Sequence, residues 1–84
     1  MEPDWNTMPT YYFDYREPDG LFADQVGYDL PDMEAARRLA LSALGEATRD
    51  LTAEGRVGRL MLEVRDGVGP VLTLSASIEQ FPRS

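Results

Sequence analysis

The chain has 84 residues and a net charge of −7, with no cysteine, no histidine and eight cations that are all arginine. Those absences exclude disulfide staples, ordinary zinc sites, imidazole or thiolate catalysis, Schiff-base lysines and the lysine of a phosphate-binding loop. No stretch approaches about 18 uninterrupted apolar residues, so no membrane span is expected.

Length sets a further bound. A chain this small buries only about 60% of the surface its unfolded form exposes. Ordering cost, about 1.5 kcal/mol per residue, nearly offsets apolar burial. Without a disulfide, association with a second copy or another chain is the expected support.

The charge is uneven. Residues 1–34 hold nine acids and one base, Arg16, whereas residues 35–84 hold six acids and seven arginines. Nucleic-acid binders normally carry a basic face that releases counterions. This balance argues against nucleic acid. The acidic half reads as a solubilising surface or as a match for a basic protein partner.

In chain order, residues 1–8 are polar and aperiodic and read as a flexible leader, with Met8 a candidate alternative start. A single domain is expected over residues 9–80. The opening MEPDWNTMPT has no basic n-region or apolar h-region, so a signal peptide is not expected and a cytoplasmic location is.

A first strand follows. Tyr11, Phe13 and Tyr15 alternate with Tyr12, Asp14 and Arg16, in residue types that favour strands. The segment EPDG is a turn, with Pro18 presetting φ and Gly20 tolerating a positive φ. A second strand spans Leu21 to Tyr28, and Gly27 within it suggests a bulge or a close backbone approach.

The helix starts at Asp32, a good N-cap, with Glu34 in the first turn where the helix dipole favours an acid. At 100° per residue, Met33, Ala36, Ala40, Ala43, Leu44, Ala47 and Leu51 fall on one stripe. The helix is expected to end near Glu54, with Gly55 at C′. The stripe is rich in alanine, which suits close packing on a sheet. A membrane-surface helix would need bulkier apolar groups and a more basic polar face.

The last hairpin has the strongest signal. Leu60, Leu62 and Val64 alternate with Met61, Glu63 and Arg65, and Leu72, Leu74, Ala76 and Ile78 alternate with Val71, Thr73, Ser75 and Ser77. DGVGP is the turn between them, and Pro70, which cannot donate to the ladder, begins the fourth strand. The glycines of DGVGP lie in a hairpin and open no helix, so they are not a dinucleotide fingerprint.

The element order is ββαββ, an α+β fold. Pairing the third strand beside the first gives a four-stranded antiparallel sheet of order 2-1-3-4 with one helix on one face. The covered face takes Tyr11, Phe13, Tyr15, Leu60, Leu62, Val64, Leu72, Leu74, Ala76 and Ile78.

The open face is the candidate interaction surface: Tyr12, Asp14, Met61, Glu63, Val71, Thr73, Ser75 and Ser77. Tyr12, Met61 and Val71 could form an apolar spot there. The fourth strand is an edge with little charge to block pairing, so a homodimer through that strand or the open face is expected. No catalytic, metal or cofactor site is expected. Asp14 and Glu63 read as a solvated pair, because a flat exposed face does little to raise a carboxylate pKa. The spacing of Asp19, Asp24, Asp29 and Asp32 does not fit a calcium loop.

Met8, Pro9, Tyr11 and Phe13, then Asp24, Gly27, Ala36 and Ala40, then Val64, Asp66, Gly69 and Leu72, form a pattern that resembles the DUF6894 family of small bacterial proteins. The likeness covers residues 8–79 and implies a bacterial source and nothing catalytic. Residues 11–47 are also similar to the N-terminal part of HicB-type antitoxins, which pass from a strand hairpin through a Pro-Asp segment into an alanine-rich helix. Two functional expectations follow. One is a non-catalytic interaction or regulatory module; the other is an antitoxin-like component that neutralises a basic toxin.

Overall fold

The computed structural model describes residues 8–83. Except for Met8, the expected leader lies outside the described residues. Five strands and one helix form the fold: β1 (Thr10–Glu17), β2 (Gly20–Phe22), β3 (Tyr28–Asp29), α1 (Met33–Ala53), β4 (Gly58–Arg65) and β5 (Pro70–Ile78). All pairings are antiparallel, in the order β2-β1-β4-β5, with β3 also on β1. This is the expected α+β class, with one difference.

That difference is the second strand. It was expected as one strand from Leu21 to Tyr28 with a bulge or close backbone approach at Gly27, but it is divided in two. β2 pairs with the far end of β1 through Tyr15↔Phe22, and β3 with its beginning through Tyr11↔Tyr28. Residues 23–27 leave the ladder between them. The Asp24 carboxylate causes the break: it accepts the N–H of Phe13 at 3.1 Å, replacing a strand partner. It also accepts the N–H groups of Val26 and Gly27, at 2.9 and 3.1 Å, which curls the loop back on itself. Gly27 has φ +79°, and a Cβ there would lie 2.7 Å from Thr10 Cγ2, so the position requires glycine.

The α1 ends follow local chemistry. Asp32 caps the start, its carboxylate accepting the Ala35 N–H at 2.9 Å. At the far end Gly55 takes φ +72°, Arg56 N–H donates to Leu51 O, and Gly55 N–H donates to Thr52 O. Those two bonds make a Schellman motif.

α1 lies over β4 and β5. Its buried residues are Ala36, Ala40, Leu44 and Leu51, packed on Tyr11, Leu60, Leu62 and Val64. Met33, Ala43 and Ala47 complete the stripe against the same core. Ala36 and Ala40 are fully buried, and their small side chains let the helix axis sit close to the sheet. Burying Leu60 and Val64 contributes about 1.5–3 kcal/mol each. All ten residues assigned to the covered face lie in this core or pack against it.

Candidate functional site

The open face is built from rows set by the strand register. Tyr12 lies opposite Arg65, Asp14 opposite Glu63, and Arg16 opposite Met61. The rows continue onto β5, with Glu63 opposite Thr73, Met61 opposite Ser75, and Arg59 opposite Ser77. Seven of the eight candidate residues, Tyr12, Asp14, Met61, Glu63, Thr73, Ser75 and Ser77, therefore share one face, but they do not form one apolar patch. The charged Asp14–Glu63 row separates Tyr12 from Met61. Val71 stands apart as well. The register shifts where Val64 faces Leu72 and Arg65 faces Pro70, leaving Val71 as the extra residue of a bulge. The apolar spot is thus divided.

Arg65 organises the polar half of this face. Its guanidinium stacks on the Tyr12 ring, 4.4 Å from the centroid. Its Nε donates to Asp14 at 2.7 Å and a terminal nitrogen donates to the Asp24 carbonyl at 3.1 Å. Asp14 also accepts the Asp24 N–H at 2.9 Å. The result is a knot that ties β1, β4 and the 23–27 loop together.

Burial alone would raise the Asp14 pKa, but the Arg65 hydrogen bond and the Asp24 N–H together outweigh it and hold the carboxyl below its ordinary value. Burial pushes Asp24 in the same upward direction. There the N–H groups of Val26, Gly27 and Phe13 prevail, and its pKa is also lowered. Both groups are therefore ionised acceptors that fix backbone, a state opposite to that of a carboxylic acid poised to donate a proton. The same device recurs in the turn between β4 and β5. Asp66 accepts the N–H groups of Val68 and Gly69, at 2.8 and 3.1 Å, and these bonds lower its pKa.

This knot was missed in the sequence, although a signal exists. The chain carries D-x-V-G twice, at Asp24–Gly27 and Asp66–Gly69, and each copy is an aspartate turn. No group of three or more acids converges as a metal-ligating cluster among the described residues. Nor is any helix there long and apolar enough to cross a membrane.

The two sheet edges differ. One is broken into strands of three and two residues, separated by the 23–27 loop. The other, β5, is nine residues long and, among the described residues, pairs only with β4. Its exposed side chains beyond Pro70 are Val71, Thr73, Ser75 and Ser77, none charged. Short strands and interruptions blunt an edge, whereas a long uncharged one leaves a row of backbone groups free to pair.

Comparison with curated proteins and with solved structures returned no match. A family-level comparison did. The profile of DUF6894, described as a domain of unknown function, matches residues 10–77, which span the sheet from the first residue of β1 to the penultimate residue of β5, and the chain belongs to that family.

Proposed function

We propose that the protein is a non-catalytic interaction module whose working surface is the β5 edge, and that a second copy of the chain is its first partner. The observation that carries this reading is the contrast between the broken β2–β3 edge and the long, uncharged β5 edge. Antiparallel β5–β5 pairing about a twofold axis is self-complementary and makes one continuous sheet from two. Charge favours the same edge. The acids Asp14, Glu17, Asp19, Asp24 and Asp29 sit on β1, β2, β3 and their loops, so pairing through β5 keeps the two acidic halves apart.

The test is mass in solution. The 9.4 kDa chain is expected to weigh twice that by light scattering at high micromolar concentration. Thr73→Lys with Ser75→Lys sets like charges across the new ladder and should return it to the monomer without loss of secondary structure. A native chain that stays monomeric rules the reading out.

A second reading draws on the acids gathered at the β1–β2–β3 side: neutralisation of a basic partner such as a toxin. A salt-sensitive basic protein recovered with the tagged chain supports it. A partner held equally well at high salt counts against it.

A further inference from the structure

Because α1 lies over β4 and β5, the helix-side residues of β1 beyond the buried Tyr11, namely Phe13, Tyr15 and Glu17, are only half covered. Two hollows that share Tyr15 lie along that gap, between the Leu39–Ala43–Ala47–Asp50–Glu54 flank of α1 and Phe13, Tyr15 and Glu17 of β1, and together they make a trough. Its two ends differ in chemistry. One end, of 330 Å³, is lined by Phe13, Phe22, Tyr28, Leu39 and Ala43. Phe22 and Tyr28 are each more than half exposed, at 57% and 55%. Their rings are already arranged: Phe13 and Tyr28 meet edge to face at 5.7 Å, and Tyr15 and Phe22 lie 6.4 Å apart.

The other end, reached past Tyr15, is lined by Glu17, Asp50, Glu54 and Arg56. Arg56 is taken up by Asp19 and Glu54, and Glu17 and Asp50 have no ion pair among the described residues. The negative field there is felt by Tyr15: burial raises its pKa most, and Glu17 and Asp50 raise it further. Aromatic surface this exposed in so small a chain, open at one end onto unpaired acids, has the form of a recognition groove.

We propose that this trough holds a basic segment of a protein partner, with a bulky apolar side chain seated among Phe13, Phe22, Tyr28 and Leu39 and a neighbouring arginine or lysine reaching Glu17 and Asp50. The proposal shares with the toxin-neutralising reading only the sign of the partner's charge. It is independent of β5 pairing, because the trough lies at the opposite side of the sheet.

The experiment uses three blocked peptides, acetyl-Phe-Arg-Arg-amide, acetyl-Phe-Glu-Glu-amide and acetyl-Gly-Arg-Arg-amide, titrated into isotope-labelled full chain. The first should shift the resonances of Tyr15, Phe22, Leu39, Ala43 and Glu54 saturably, with a Kd of about 1 mM or tighter. The glutamate peptide should not bind, and the glycine peptide should bind at least about tenfold more weakly. Added salt should weaken the first peptide. Asp50→Arg, an exposed site that leaves the core intact, should reverse the preference towards the glutamate peptide. Leu39→Glu should abolish binding while circular dichroism stays unchanged.

Several results would overturn the proposal. Absence of saturable shifts up to about 10 mM peptide does so, as does equal binding of the phenylalanine and glycine peptides, which marks general attraction to an acidic surface. Shifts at the trough that grow with protein concentration alone, and vanish when residues 80–84 are removed, assign it instead to the Phe81–Arg83 segment of a second copy. A salt-sensitive basic protein that still binds Asp50→Arg and Leu39→Glu leaves the toxin-neutralising reading standing and removes the trough from it.

Discussion

Asp24 shows how one side chain redirects a chain. Its two carboxylate oxygens take three backbone N–H groups, one of them across the break in the sheet. Asp24→Ala leaves those donors without partners and should cost about 1–3 kcal/mol in urea unfolding. Asp24→Asn keeps an acceptor and should cost less. Asp14, Asp24 and Asp66 all have folded pKa values below the ordinary 3.8. The unfolded chain therefore takes up protons first as pH falls. Their stabilisation is full above about pH 5 and is lost as pH drops through 3.8 and below. Unfolding free energy measured by urea from pH 7 to pH 2.5 should be flat and then fall. A rise on acidification contradicts these assignments. Arg65→Gln should make the acid limb shallower by removing Arg65's share of the Asp14 contribution, the Asp24 N–H keeping the rest. In the sequence the aspartates read as scattered surface acids, because the pairing that matters joins residues 41 and 51 positions apart. Only the local half of the pattern, D-x-V-G, could be read there.

At the scale of elements, periodicity carried most of the fold. The alternation of the last hairpin and the 100° stripe of α1 each depend on a single repeat, and each residue they assigned inward lies in the core or packs against it. The caps at Asp32 and Gly55 depend on local backbone chemistry and were equally readable. The second strand was not, since a short side-chain–backbone contact displaced a ladder that composition favoured. The alanines of α1 are fitted to the sheet by size, so Ala40→Leu should destabilise by about 1–3 kcal/mol through overpacking. Leu60→Ala on the facing strand should cost about 2–5 kcal/mol through a cavity. Chemical denaturation checks both. If Ala40→Leu is neutral or stabilising, the helix does not sit as closely on the sheet as described.

The whole molecule is asymmetric. One sheet edge is short, interrupted and acidic, and the other is long and uncharged. The register needed to see this was only partly legible. The strand order was legible apart from the divided second strand, but Asp14 and Glu63 stand between Tyr12 and Met61 only once β1 and β4 are aligned. That alignment divides the apolar spot expected on the open face, which supports the proposed β5 edge over the middle of that face. In a free edge strand, alternate N–H groups point to solvent and exchange quickly with deuterium, whereas those donated to β4 exchange slowly. Hydrogen exchange across Val71–Ile78, measured at high and low protein concentration, therefore tests the edge directly. With β5 paired to a second β5, both sets of amides are protected at high concentration and the outward set loses protection on dilution. Fast exchange of the outward amides at every concentration would show that the edge stays unpaired.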